Sequence, residues 1–256
     1  MFSYSDQLSF DVRCPYDKRI PGAWGPGDLN KMFDQITSDP TNEGKLTIFS
    51  QPPEGPWVIT LDDFLTDSQC QKLIELGRVR GYERSKDVGE KKFDGSFGAV
   101  ESKERTSSNT WCVEECYEDE VTQSVLAKIS NYTHIEDTNY EYLQLLQYKE
   151  TQHYGNHHDY IDHHNQRPAG VRILTVFLYL NDVEEGGGTH FTDLDITVEP
   201  KRGRVLIWPS VLDTHPDEKD FKTHHEALPV KKGIKYGANS WIHQRDFKTP
   251  YRTNCI

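Results

Sequence analysis

Hydrophobic positions recur at helical spacing in three places in the first half of the chain. Leu29, Met32, Phe33 and Ile36 form one stripe. Cys70, Leu73 and Ile74 form a second, and Val121, Val125, Leu126 and Ile129 a third. The second stripe has a start signal. Thr66 followed three positions later by Gln69 reads as a capping box, and Gly77 marks the end. Trp57-Val58-Ile59 predicts a short strand ahead of it. The polar stretch 37–55 predicts a linker, so residues 1–55 read as an arm that packs on the main body. Residues 56–141 read as a helical support region. Within it, charge and glycine without periodicity predict a flexible loop over 80–108.

From Tyr142 onward the pattern changes. Residues 142–148, 171–180, 189–191, 204–208 and 236–243 are short runs rich in β-branched and aromatic side chains, split by Gly, Pro and Asp. No helix-length period interrupts them. The expected architecture is α+β, with helices first and then an antiparallel sandwich or jelly roll over 142–256, rather than a parallel α/β sheet.

Composition narrows the classes. Only 35% of the 256 residues are apolar, but 11% are aromatic, and these bury large areas each. A net charge of −12 argues against a nucleic-acid partner, which asks for a surplus of Lys and Arg. No apolar run is long enough for a transmembrane segment, and residues 1–10 lack a signal-peptide pattern. The five cysteines allow at most two internal disulfides. Cys112 and Cys116 lack the second ligand pair that a zinc site needs, and Cys70 belongs to a helix core face. Asn131-Tyr132-Thr133 is a glycosylation sequon. With the cysteines, it fits the secretory pathway or endoplasmic reticulum lumen, with the cytoplasm as the alternative. Nothing fixes the oligomeric state, and a monomer is compatible with the sequence.

All eleven histidines lie between residues 134 and 243, and five of them fall within 153–164. His157-His158-Asp159 holds a His-x-Asp pair just after a strand. Residues two apart on extended chain point the same way, so an imidazole and a carboxylate converge. A distant histidine would complete a set of two His and one carboxylate, which leaves three positions open on Fe(II). His215-Pro216-Asp217 is the other His-x-Asp, but little chain follows it and Pro216 suggests a turn. The third ligand could be His215, His224, His225 or His243. His225 is favoured because it opens His225-Glu226-Ala227-Leu228-Pro229-Val230 and precedes Gly233-Ile234-Lys235. A lysine carried inward on a strand, as Lys235 would be, is costly unless it meets an anion.

These residues resemble the prolyl 4-hydroxylase family of Fe(II)/2-oxoglutarate-dependent dioxygenases, over roughly 57–245. Tyr148 and Tyr154 precede His157-x-Asp159 as in the family's Tyr…Tyr-x-x-His-x-Asp segment. Arg172-Ile173-Leu174-Thr175 leads into Tyr179-Leu180-Asn181-Asp182-Val183, and Gly187-Gly188-Thr189-His190-Phe191 follows the Gly-Gly-x-Thr-x-Phe landmark. His225…Pro229-Val230…Gly233-x-Lys235 closes the set, and Arg105-Thr106-Ser107-Ser108 is similar to a segment of plant and algal members. The resemblance implies a double-stranded β-helix (jelly-roll, cupin-like) core with flanking N-terminal helices. It implies Fe(II) on His157, Asp159 and His225, and 2-oxoglutarate with its distal carboxylate on Lys235. Tyr148 and Thr175 become further cosubstrate contacts, and Tyr154, Arg172 and Arg105 peptide contacts. O₂ is the second cosubstrate, ascorbate an expected helper, and a proline-containing peptide or protein the expected partner. Hydroxylation would be coupled to decarboxylation of 2-oxoglutarate to succinate and CO₂. The sequence departs from the family at Thr151, where Gly is common, and at Tyr236, where Trp is common. Gly188 also stands where a longer polar residue can occur.

The rivals are a related oxygenase acting on another residue or a small molecule, a non-catalytic cupin-like metal-binding module, and a zinc hydrolase. Lys235 speaks against a module without 2-oxoglutarate. Gly186-Gly187-Gly188 lacks the Gly-Lys-Ser/Thr of a phosphate loop, and Ser107 and Ser108 lack a nucleophile elbow. Trp208, Tyr236 and Trp241 read as core rather than as a base-stacking platform.

Overall fold

The computed structural model describes Cys14 and residues 19–91 and 97–255. The remaining parts of the expected arm, at 1–13 and 15–18, and of the expected loop, at 92–96, lie outside the described residues. Helix α1 (Asp28–Ser38) buries Leu29, Met32, Phe33 and Ile36, the stripe its spacing predicts. Strands β1 (Leu46–Ser50) and β2 (Val58–Leu61) follow and pair antiparallel. The expected linker thus contains a strand: β1 is an edge strand of low burial whose short run Leu-Thr-Ile-Phe-Ser lies within the polar, Pro- and Gly-containing stretch 37–55. Helix α2 (Asp67–Arg80) starts at the Thr66/Gln69 capping box, with both reciprocal bonds present. It buries Cys70, Leu73 and Ile74, and Gly77 lies inside it rather than at its end.

The stretch expected to be a structureless loop carries β3 (Glu83–Arg84) and a hairpin of β4 (Asp87–Lys91) with β5 (Phe97–Val100). Strand β6 (Ser108–Trp111) then pairs with β3. These strands are two to five residues long, too short for a period to show in the sequence, so backbone pairing rather than apolar patterning defines them. A short helix α3 (Glu115–Glu118) leads to α4 (Glu120–Thr133).

The β region runs through β7 (Gln144–Tyr148), β8 (Tyr154–His157), β9 (Arg172–Tyr179), β10 (Glu185–Gly186), β11 (Thr189–Phe191) and β12 (Ile196–Val198). It continues with β13 (Val205–Pro209), β14 (His225–Ala227), β15 (Val230–Lys232) and β16 (Lys235–His243), and helix α5 (Lys248–Arg252) follows. Two main antiparallel sheets result, beside the two-stranded pair β10-β15. The larger has the order β1-β2-β13-β9-β16-β7-β6-β3, and the smaller β12-β11-β14-β8. This is the double-stranded β-helix core. Strands β1, β2, β3 and β6, all before residue 142, extend its larger sheet.

Opposite faces of the larger sheet serve two cores. On β9, Val176 and Leu178 join the cluster shared with Leu29, Phe33, Leu73 and Leu126 of the helices. Phe177 and Tyr179 face the other way, into the space between the sheets, with Leu146 and Tyr148 of β7 and Leu206 and Trp208 of β13. Val58, Phe191, Val198 and Val230 complete that second cluster. Gly237 of β16 is needed here: a Cβ would come within 2.5 Å of the Phe177 ring. Among the described residues no helix is long and apolar enough to cross a membrane.

Candidate metal and cosubstrate site

His157 ends β8 and His225 begins β14, and the two are register partners across the smaller sheet. Asp159 lies two residues past His157. Candidate ligand atoms of the three side chains lie within 4.8 Å of one another, the one such cluster among the described residues. Their atoms converge: His157 Nε2 is 3.9 Å from Asp159 Oδ1, and His225 Nε2 is 3.7 Å from Asp159 Oδ2.

The backbone sets both tautomers. His157 Nδ1 lies 2.8 Å from the Gly155 carbonyl and His225 Nδ1 3.0 Å from the Thr223 carbonyl. A carbonyl only accepts, so each Nδ1 carries a proton and each Nε2 presents a lone pair toward Asp159. Burial, reinforced by repulsion from His225, pushes the His157 imidazole down to about 3. It stays neutral, as a ligand must. Burial alone would raise the Asp159 carboxyl, but His225 and His157 hold it down at about 2.

The three residues line a cavity between the sheets. Lys235, the first residue of β16, stands opposite Tyr148 of β7 and points into the same space. It is 1% exposed, and its Nζ has no hydrogen-bond partner. The rings of Tyr148, Phe177 and Tyr179 lie 5.2, 5.2 and 5.4 Å from it. Burial pushes this ammonium down to about 7, against slight support from Glu199.

The other predicted site residues fall into three groups. Tyr148, Tyr154 and Arg105 line the cavity. Tyr154 stacks on His157 with ring centroids 3.6 Å apart, and the Arg105 guanidinium lies 4.5 Å over the Tyr154 ring. Thr175, expected as a cosubstrate contact, is not among the residues that line the cavity. Its hydroxyl donates to Asp159 Oδ2 at 2.7 Å, because β9 aims it at the carboxylate. Arg172 is outside the cavity wall as well. It donates to Glu141 through Nε and Nη2, the latter at 3.0 Å, and lies 3.8 Å over the Trp241 ring. His243 Nε2 meets the same carboxylate at 2.8 Å. Burial would raise Glu141, but Arg172 and His243 hold it well below the usual carboxylate range. His215, by contrast, is exposed and apart from the cluster.

Several wall residues escape a reading of the sequence. Thr189 lines the cavity and shares a 2.7 Å hydrogen bond with the Tyr179 hydroxyl. Asn239 lines it too, and donates to Gln144 Oε1 at 3.3 Å, where Arg105 Nη2 also donates at 3.1 Å. Strand parity was the available signal. Gln144 shares a face with Leu146 and Tyr148, and Asn239 with Lys235.

The residues fit a metal with a dicarboxylate beside it. Two neutral imidazoles and one carboxylate suit Fe(II), and a buried ammonium without a partner suits the far end of an organic anion. A family model described as "2OG-Fe(II) oxygenase superfamily" matches residues 143–243. Prolyl 4-hydroxylase 5 of Arabidopsis thaliana is 33% identical over 215 residues, covering 75% of this chain and 70% of that protein. Among solved structures, the viral collagen prolyl hydroxylase of Paramecium Bursaria Chlorella virus-1, in its 2OG complex, aligns with a TM-score of 0.59 and 27% identity. That match covers 75% of this chain and 99% of that one. A Pseudomonas putida prolyl-4-hydroxylase shares the fold at TM-score 0.51 and 16% identity, over 85% of this chain and 99% of that one.

Fold and site therefore define a dioxygenase that uses Fe(II), 2-oxoglutarate and O₂. The chain belongs to the prolyl 4-hydroxylase family of these oxygenases.

Proposed function

We propose that the enzyme hydroxylates prolyl residues in a proline-containing peptide or protein. Iron would be held by His157, Asp159 and His225, and the distal carboxylate of 2-oxoglutarate by Lys235. The observation that carries this reading is the unpartnered Lys235 ammonium inside the cavity that the three candidate ligands share. The names of the relatives point to proline as the target.

When bound, the iron and 2-oxoglutarate supply oxidising power from O₂, with succinate and CO₂ as coproducts and one oxygen atom placed on a C–H bond. The chain's own residues bind, orient and exclude water. The Gly155 and Thr223 carbonyls fix the two imidazoles with Nε2 forward. Thr175 holds one oxygen of Asp159 and so fixes the carboxylate's rotation. Lys235 supplies a charge whose strength is raised by its dry aromatic surroundings. Tyr148, Phe177 and Trp208 shut water from the cavity. A peptide would approach past Tyr154 and Arg105, which line the cavity wall, with Arg172 beside the Glu141 pair.

The test is to load the pure protein with Fe(II) and 2-oxoglutarate without oxygen, admit O₂, and measure succinate with and without proline-rich peptides. We expect peptide-stimulated succinate and one added oxygen on proline by mass spectrometry. Succinate without oxidised peptide would move the search to another residue or a small molecule, and no succinate with no bound iron would overturn the site.

We also propose an oxidising, secretory address. Four of the five cysteines are paired, as Cys14–Cys255 and Cys112–Cys116, and disulfides persist in such compartments. Alkylation of protein taken directly from its native cells should find only Cys70 free. Four further reactive thiols would place it in a reducing compartment.

A further inference from the structure

We propose that Asn131 is an N-glycosylation site filled before the domain folds. The site is independent of the oxygenase chemistry and rests on the secretory address above. Asn131 lies in the last turn of α4, is exposed, and its side chain hydrogen-bonds to nothing among the described residues. It opens onto a cleft between the end of α4 and residues 35–42. The cleft is lined by exposed Gln35, Asp39 and Thr41, which offer hydrogen bonds to sugar hydroxyls, and by half-buried Tyr132, which offers an apolar face. A first sugar on Asn131 therefore has room and partners of matching chemistry. None of these residues lines the iron cavity.

The rest of the sequon decides the order of events. Thr133, whose hydroxyl a glycosyl-transferring enzyme must reach, is 2% exposed. That hydroxyl donates to the Ile129 carbonyl at 3.0 Å, meets the Tyr140 hydroxyl at 2.9 Å and accepts from the Ile135 amide at 3.3 Å. The sequon backbone is helical, and His134 closes the helix in a left-handed conformation. In the folded protein the acceptor asparagine is open, but the threonine that identifies it is shut away. Transfer belongs to the unfolded chain emerging into the compartment. There the Asn131 amide nitrogen bonds to the anomeric carbon of a lipid-diphosphate-linked oligosaccharide. The carbon–oxygen bond to the lipid diphosphate breaks, and the amide loses a proton. Folding then hides Thr133 and leaves the glycan in the cleft.

The experiment is to express the full chain with a secretion leader in a eukaryotic host and compare its mass before and after an amidase that releases N-glycans in heavy-oxygen water. Expected are loss of one glycan mass and heavy-oxygen aspartate at position 131. Asn131→Gln should abolish the shift and keep succinate-forming activity, and Thr133→Ser should keep the shift. Folded, unglycosylated protein offered to microsomes should remain bare, whereas the same protein unfolded and reduced should be modified. A secreted, disulfide-bonded protein with bare Asn131 would overturn the site and leave the address standing. A chain that fails to form its disulfides there would overturn both. Modification of the folded protein at the rate of the unfolded one would overturn the proposed order.

Discussion

Lys235 carries its ammonium into a space walled by three aromatic rings, where burial pushes it down to about 7. The unfolded chain holds this proton up to about 10.5, so between pH 7 and 10.5 the unfolded state binds more protons. Stability from this group therefore rises with pH across that window, and the penalty is complete below it. Lys235→Met removes the penalty. We expect the variant without cosubstrate to gain stability on the order of 4 kcal/mol at pH 6, with the gain shrinking toward pH 10, as denaturant unfolding at several pH values would read. The same variant should lose 2-oxoglutarate binding by calorimetry. A variant less stable than the parent at pH 6 would show that the ammonium has a partner. Asp159→Ala should lose iron and turnover together. Thr175→Val keeps the shape and removes the bond to Asp159, so iron affinity should fall about 10- to 100-fold while 2-oxoglutarate affinity of the iron-loaded enzyme holds. A fall confined to 2-oxoglutarate would restore Thr175 to the cosubstrate.

At the scale of elements, register joins residues far apart in sequence. Pairing of β16 with β7 sets Lys235 against Tyr148 and Asn239 against Gln144. Gln144 Oε1 then gathers Asn239 and Arg105, which ties the residues before β6 to the cavity wall. Gln144→Leu leaves the Arg105 fork without that acceptor. We expect the peptide KM to rise about tenfold, the scale of a hydrogen bond to a charged group, with the KM for 2-oxoglutarate unchanged and Gln144→Glu retaining most of the binding. Equal changes in both KM values would mean that Gln144 serves the whole cavity. The same register explains what the sequence shows and what it conceals. Helices α1, α2 and α4 are legible because their buried faces repeat at the helical period, and the central strands β9 and β16, buried on both faces, because their β-branched and aromatic runs stand between Gly, Pro and Asp turns. His157 and Asp159 are legible as a pair because two residues of extended chain bring them together. Thr189 and Asn239 become wall residues, and Gln144 their support through Asn239 and Arg105, only through neighbours on other strands, and no local pattern announces that. The role of Thr175 is concealed likewise: its position on β9 is plain, but its partner Asp159 reaches it only through the fold. Strands β3 to β5 are missed because they are two to five residues long and lie in a stretch whose charges and glycines carry no period.

For the whole molecule, the two disulfides differ in what they constrain. Cys112–Cys116 closes a loop within one turn of chain, while Cys14–Cys255 spans 241 positions and joins the N-terminal arm to the C-terminal end. The arm is held elsewhere by short-range bonds. The Ala23 amide donates to the Gln244 carbonyl at 2.6 Å, the Trp24 amide to Gln244 Oε1 at 3.1 Å, and Arg245 Nε to the Ile20 carbonyl at 3.0 Å. These contacts sit next to His243, whose ring reaches Glu141. Chain-entropy reasoning gives the long closure an upper value of about 5 kcal/mol, against about 2 kcal/mol for the short one. Cys14→Ser with Cys255→Ser should therefore lower the unfolding midpoint more than Cys112→Ser with Cys116→Ser. Iron binding should persist in both, because His157, Asp159 and His225 sit on the smaller sheet and its adjoining loop, away from the arm. Thermal melts of the two double variants, with iron content measured beside them, would check this. A larger loss from the short bridge would mean that Cys112–Cys116 stabilises the folded β6–α3 junction itself, where the Cys112 amide donates to the Leu143 carbonyl at 2.8 Å, rather than restricting the unfolded chain.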